Sequence, residues 1–256
     1  MVDLSCLVDR LVAEMGGFPH IKSVFTRFIT TLFPPACPFC LTTLLTGQLD
    51  PFCTTCSRGI FPLTGACCSC CALPFVGSEN SSHLCSRCLV KAPPFNHVYA
   101  YGYYDQILRQ MVHQFKFNNK VGLDRHLARL VISAIDPGLS VDLVIPVPLH
   151  RKSLQRRSYN QSLLLAREIA RIKNWNIEKN LLGKMKETAS QHDLTARQRE
   201  HNLREAFHVK YSLSGEHILL VDDVLTTGST ASACSKILLA AGAGRVDVAV
   251  IARAAR

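Results

Sequence analysis

Four Cys-x-x-Cys hooks crowded into one fifth of the chain constrain its fold more than any other feature. They are Cys37-Pro-Phe-Cys40, Cys53-Thr-Thr-Cys56, Cys68-Ser-Cys70-Cys71 and Cys85-Ser-Arg-Cys88. Twelve residues separate the first two hooks and thirteen the last two, and the first half recurs 31 residues later, so the segment is internally duplicated. Two hooks at such a separation suit four thiolates around one tetrahedral zinc, and two such sets imply two structural zinc ions. A closed thiolate shell has no open coordination position, which makes the role structural rather than catalytic. Redox-active dithiols and a disulfide scaffold are the competing readings. Cys67 and Cys70 form a further Cys-x-x-Cys pair interleaved with the third hook. Cys68 and Cys71 are preferred because they preserve the spacing and precede the turn-like Ala72-Leu73-Pro74. Cys6 and Cys234 read as small apolar residues, and His83 as a loop residue rather than a ligand.

Composition decides between metal and disulfide. Of 256 residues 48% are hydrophobic and 19% charged, which excludes dominant disorder. No run approaches the ~20 uninterrupted apolar residues of a membrane span, so membrane insertion is not expected. Asp3, Asp9 and Glu14 interrupt the start and argue against a signal peptide. The expected location is the cytoplasm, where clustered cysteines signify metal. Residues 1–35 read as a leader with Val24, Phe25, Phe28, Ile29 and Leu32 at helical spacing, either a docking helix or a frayed extension. Residues 36–92 form the double zinc ribbon, and Ala92-Pro93-Pro94 a linker of extended path.

From residue 95 to 256 strand and helix signals alternate. Val98–Tyr104, Val141–Val147, Ile218–Val221 and Val246–Ile251 read as strands. Helical faces run through Ile107 to Phe115, Leu123 to Ala134, Ser162 to Ile172 and Ser229 to Ala241. This alternation predicts an α/β domain with a mainly parallel sheet.

The richest stretch is Ile218-Leu-Leu-Val-Asp222-Asp223-Val-Leu-Thr226-Thr227-Gly228-Ser229-Thr230. A buried strand delivers two carboxylates at its carboxyl end, where α/β ligands bind. The hydroxyl-bearing loop that follows opens a helix whose free N–H groups and dipole favour a phosphate. Gly228 permits close approach or a positive φ. Carboxylates suit sugar hydroxyls or magnesium, so the inferred ligand is a ribose 5-phosphate bearing a further charged group. The alternative is a capping turn between strand and helix. No G-x-x-x-x-G-K-[ST] is present, and Gly242-Ala-Gly244 lacks the third glycine of a dinucleotide fingerprint.

This stretch resembles the phosphoribosyl pyrophosphate (PRPP) motif of the type I phosphoribosyltransferases. The resemblance implies that Asp222 and Asp223 hold the ribose hydroxyls with Mg²⁺ nearby, and that Thr226, Thr227, Gly228, Ser229 and Thr230 cradle the 5-phosphate. The double zinc ribbon ahead of such a domain is similar to the ComF family of competence proteins over about residues 33 to 256. Phe115-Lys116-Phe117, Pro146-Val147-Pro148-Leu149, Arg156-Arg157-Ser158-Tyr159-Asn160-Gln161, Gln191, Arg197, Arg199, Asn202 and Ala206-Phe207 also carry this resemblance. Ser158 stands where the family usually has glycine, and the residues just after Leu41 lack the glycine common in zinc knuckles.

Charge adds a partner. Residues 148–210 hold 14 Lys+Arg and 6 Asp+Glu, which is +8 of the chain's +10. Arg151, Lys152, Arg156 and Arg157, with Asn160 and Gln161, follow the strand ending at Val147 and so lie at the same sheet edge as Asp222. Such cations suit the pyrophosphate of PRPP or the backbone of single-stranded DNA, with Tyr159 or Phe117 available for stacking. The plain alternative is a solvated basic face, the favoured reading for Lys173, Lys179 and Lys186. The family resemblance implies a protein that supports uptake of transforming DNA from the inner face of the cytoplasmic membrane, beside a helicase or other competence proteins. A true phosphoribosyltransferase with an unknown acceptor and a PRPP-sensing regulator are the alternatives. No catalytic residue is identifiable beyond Asp222 and Asp223 as candidates.

Overall fold

A computed structural model describes residues 34–44, 50–75, 82–117, 120–185 and 206–254. The leader's apolar face and Gln191, Arg197, Arg199 and Asn202 lie outside the described residues. The chain divides into two compact units, Met1–Ile60 and Phe61–Arg256, each with one of the two cysteine tetrads.

In the first unit the Cys37 hook closes with Leu41 N–H donating to the Cys37 carbonyl at 2.8 Å. Cys53 then stands at the N-cap position of the short helix α1 (Thr54–Arg58), which carries Cys56 in its first turn. The second unit repeats this plan. β1 (Cys67–Cys68) pairs with β2 (Ser82–His83), and Cys85 stands at the N-cap position of α2 (Ser86–Val90), which carries Cys88. The duplication extends to the backbone: Leu41 and Ala72, each following the second cysteine of its hook, have φ of 65° and 52°. The left-handed position that glycine often fills in such knuckles is therefore taken by Leu41 and Ala72 themselves.

The α/β part runs β3 (Val98–Tyr103), α3 (Gln106–Phe117), α4 (Asp124–Ala134), β4 (Leu143–Pro146), α5 (Arg151–Arg157), α6 (Gln161–Lys173), β5 (Leu182–Lys184), β6 (Phe207–Val209), β7 (His217–Leu225), α7 (Ser229–Ala240) and β8 (Arg245–Arg253). Four strands form one parallel sheet in the order β3-β8-β7-β4, and β5 and β6 form a separate antiparallel pair. Central β7 and β8 are apolar almost throughout because both faces are covered, as parallel sheets require. One face puts Ile218, Leu220, Val246, Val248 and Val250 in a single buried cluster with Ala231, Cys234 and Leu238 of α7. Cys68, Cys71, Cys85 and Cys88 belong to that same cluster, so the second ribbon is part of the domain core. The other face meets α4 and α6, which present Leu127, Val131, Leu165 and Ile169, all fully buried. The expected α/β class, with helices on both faces of a parallel sheet behind a zinc-ribbon module, is the one found.

Three elements differ from the sequence reading. β7 continues four residues past Val221 because β8 pairs with it as far as Leu225↔Arg253, so Asp222 and Asp223 lie within the strand. The basic run after Val147 forms α5, and the antiparallel β5–β6 pair has no counterpart in the sequence reading.

Candidate functional site

The last rung joining β4 to β7 is Val147 N–H to the Val221 carbonyl at 2.9 Å. Beyond it β7 runs on with β8 alone, and the following residues come together at this carboxyl edge. Asp222 Oδ1 accepts from Ser162 Oγ at 3.0 Å and from the Asp223 N–H at 2.9 Å. Asp223 is 7% exposed and pairs with Lys116 Nζ at 2.8 Å. Burial opposes the charge of Lys116, but the Asp223 carboxylate outweighs it and raises the lysine pKa. Burial, with the neighbouring Asp223 charge, pushes Asp222 up to about 7 despite Lys116. The site therefore holds one ion pair and one carboxyl shifted toward neutrality, and perturbed groups of this kind cluster at functional sites.

That shift has a sign for stability. The folded carboxyl binds its proton more tightly than the unfolded one, so stability falls as pH rises from about 4 to about 7. Asp222→Asn keeps an acceptor oxygen and removes this dependence. Its urea midpoint should gain on wild type between pH 5 and pH 8. A constant gap across that range would contradict the shift.

The strand feeds the loop Thr226–Thr230, where Gly228 at φ 80° opens α7. Thr227 and Ser229 hydroxyls meet at 2.8 Å, and the Ser229 N–H approaches Thr227 Oγ1 at 3.4 Å. The first N–H groups of α7 have no intrahelical acceptor, so phosphate oxygens suit this end.

The basic segment sits at the same edge, since Pro146 of β4 is level with Val221 of β7. Arg151, Lys152 and Arg156 are exposed on α5. Arg157 stacks on the Phe117 ring at 4.8 Å and donates to Gln161 Oε1 at 3.3 Å. Asn160 caps α6 and donates to the Val147 carbonyl at 3.0 Å, while Gln161 is 1% exposed and donates to the Lys116 carbonyl at 3.3 Å. Both side chains fasten the loop, and Gln161 is turned away from solvent. Tyr159 donates to the Phe115 carbonyl and is held internally, which leaves the 55% exposed Phe117 as the more accessible ring of the two. Ser158 adopts φ 64° at the end of α5, so the backbone there does take the conformation that favours glycine. Ser158→Gly should stabilise the fold by roughly 0.5–1 kcal/mol in a urea titration, strain relief exceeding the added chain entropy. A loss of stability would show that the serine side chain matters more than the backbone.

Each cysteine tetrad fits zinc. Cys37, Cys40, Cys53 and Cys56 form one and Cys68, Cys71, Cys85 and Cys88 the other, all ligand atoms of each lying within 4.8 Å of one another. Sulfurs approach at 3.5 Å between Cys40 and Cys53 and 3.7 Å between Cys71 and Cys85, near the ~3.8 Å edge of a tetrahedron of Zn–S bonds. Cys68 Sγ accepts from the N–H of Cys85 at 3.3 Å and of Cys71 at 3.5 Å. Burial opposes its ionisation, but these donors lower it to about 7. Burial and the neighbouring thiols push Cys56 and Cys88 up. Such crowded thiols are deprotonated together only against a cation. Cys67 and Cys70 stay outside the second tetrad, and Cys70 Sγ lies 3.6 Å from the Phe95 carbonyl.

Sequence reasoning left out Lys116, Ser162 and Arg253 as site residues. It also left out a cavity of about 740 Å³, lined in part by Phe95, Gly228, Ser229, Lys236 and Arg253. A charged residue closing an apolar strand was the available signal for Arg253.

The double zinc ribbon domain model matches residues 28–89. The DNA utilization protein YhgH of Escherichia coli K12 is 34% identical over 227 residues, covering 86% of this chain and 97% of that protein. Competence protein F of Haemophilus influenzae is 34% identical over 218 residues, covering 79% and 90%. The chain belongs to the ComF family of competence and DNA-utilisation proteins. Among solved structures, a glutamine phosphoribosylpyrophosphate amidotransferase from B. subtilis is 20% identical, covering 51% of this chain and 26% of that one at a TM-score of 0.36. An adenine phosphoribosyltransferase from Thermoanaerobacter pseudethanolicus is 14% identical, covering 52% and 83% at 0.33. The fold class itself rests on the strand order and the two covered sheet faces. No helix among the described residues is long and apolar enough to cross a membrane.

Proposed function

We propose that this protein binds PRPP with Mg²⁺ at the carboxyl end of β7 and single-stranded DNA along α5, and that it serves DNA uptake or use in the cytoplasm with helicase-type partners. One observation carries the reading: Asp222 and Asp223 lie in the last stretch of pairing of β7, close before a loop that Gly228 turns into the start of α7. Carboxylates for ribose hydroxyls and metal, followed by N–H and hydroxyl donors for a monophosphate, match a phosphoribosyl ligand and little else. The names of the relatives add DNA to that ligand. The exposed Arg151, Lys152 and Arg156, with Phe117 beside Arg157, supply the cations and the stacking face that a single strand needs.

Titration of one sample with PRPP·Mg²⁺ and with single-stranded oligonucleotide tests both parts. If about four phosphates are neutralised, log K for DNA should fall with log salt at a slope of roughly −2.8. Arg156→Ala with Arg157→Ala should flatten that slope for every sequence tried. An unchanged slope would move the DNA site off α5. Absence of PRPP binding at millimolar concentration would end the phosphoribosyl reading, and turnover of PRPP with a base or amine would favour the transferase.

A further inference from the structure

One side chain joins the second cysteine tetrad to the phosphate loop. Arg253 ends β8 and is 2% exposed. Its Nε–H donates to the Cys71 carbonyl at 2.9 Å. Its Nη1 donates to the carbonyls of Leu225 at 3.0 Å, of Ala254 at 2.7 Å and of Thr226. Cys71 belongs to the tetrad, Leu225 ends β7, and Thr226 begins the loop. A buried guanidinium is costly to desolvate, and its hydrogen bonds here go to backbone carbonyls rather than to a carboxylate. This is not the arrangement of a simple ion pair. It is the arrangement of a clamp on three pieces of main chain.

The planar trans peptide gives the clamp a direction. Within one peptide unit the C=O and the N–H point oppositely. Drawing the Leu225 and Thr226 carbonyls onto Arg253 therefore aims the N–H groups of Thr226 and Thr227 away from it. The fork geometry of arginine holds Cys71 and the loop at once, which a lysine ammonium on a single point cannot do.

We infer that Arg253 is a positioning residue that couples the second zinc site to the phosphate loop. Zinc in the tetrad fixes the Cys71 hook, Arg253 carries that fixed point to Leu225 and Thr226, and the loop donors are held ready for an anion. Coupling between two sites is reciprocal, so an anion on the loop also retains the zinc. The identity of the anion rests on the PRPP reading, but the coupling does not.

The test uses the full chain with both metals bound. Backbone order parameters of Thr226, Thr227 and Gly228 should be near ~0.85 in wild type and fall toward ~0.6 in Arg253→Met and after chelation. Arg253→Lys, which keeps the buried charge, is measured beside it in case the methionine variant does not fold, and it should loosen the loop as well. PRPP·Mg²⁺ or inorganic phosphate should slow zinc release to a chromogenic chelator by about tenfold in wild type and not in the variants. A loop as rigid in the folded variants as in wild type, or zinc lost at the same rate with and without a bound anion, overturns the coupling. If neither PRPP nor phosphate binds wild type, the phosphoribosyl reading fails, and the order parameters alone decide the role of Arg253.

Discussion

Replacing Cys88 with serine should cripple the whole α/β domain, whereas replacing Cys53 should cost only the first ribbon. Both variants lose one of two zinc ions, and a structural zinc contributes roughly 10–16 kcal/mol to a small module. The difference lies in where the tetrads sit. Cys68, Cys71, Cys85 and Cys88 share one buried cluster with Val98, Ile218, Val248 and Leu238, so losing that metal unpacks a face of the sheet. The first tetrad lies in the compact unit that ends at Ile60. Metal analysis with thermal melts followed by near-ultraviolet circular dichroism separates the cases. Cys53→Ser should keep the main transition near wild type, and Cys88→Ser should lower it steeply or give insoluble protein. Equal damage from both, or a single zinc in the reduced wild-type protein, would contradict this assignment.

That asymmetry was not legible in the sequence, although the tetrads were. Hook spacing names the ligands because zinc geometry depends on local chain length, and the choice of Cys68 and Cys71 over Cys67 and Cys70 follows from the same spacing. What a ribbon packs against depends on contacts across the fold, and Ala92-Pro93-Pro94 looks like a boundary only locally. The sheet was legible for a similar reason. Val246–Ile251 and Val141–Val147 are short, mostly apolar runs consistent with doubly covered strands, and α4 and α6 show one apolar face each. The end of β7 was not legible. Two aspartates are poor strand residues, and only pairing with β8 keeps them extended.

Within the site, sequence isolates residues of unusual chemistry and misses those of ordinary kind. Ser162 reads as a helix-start serine, yet its hydroxyl donates to Asp222. Lys116 reads as one basic residue among many, yet it neutralises Asp223. Asn160 and Gln161 read as ligand contacts because they follow the arginine pair, and their side chains instead fasten the loop. Ser162, Lys116 and Gln161 each find a partner more than forty positions away, whereas Asn160 reaches back only to Val147 and caps its own helix.

Asp222→Asn with Asp223→Asn should abolish PRPP·Mg²⁺ binding and leave single-stranded DNA affinity equal or slightly higher at low salt. Charge-assisted hydrogen bonds contribute roughly 1.5–3 kcal/mol each, so losing both carboxylates should weaken PRPP by about 100-fold to 10⁴-fold. The same carboxylates repel DNA phosphates, so their removal cannot weaken a polyanion by direct contact. Lys116 complicates the experiment. Without Asp223 its ammonium is left half-buried with no anion at 2.8 Å, and a stranded charge destabilises. Asp223→Asn with Lys116→Met removes both charges and should melt closer to wild type than Asp223→Asn alone. Comparison of the two isolates the ligand effect from the folding effect. If the folded double aspartate variant loses DNA together with PRPP, the two ligands share one site and a PRPP-sensing regulator becomes the better reading. If it keeps PRPP, the phosphate loop binds without the strand carboxylates, and neither Asp222 nor Asp223 is needed for the ligand.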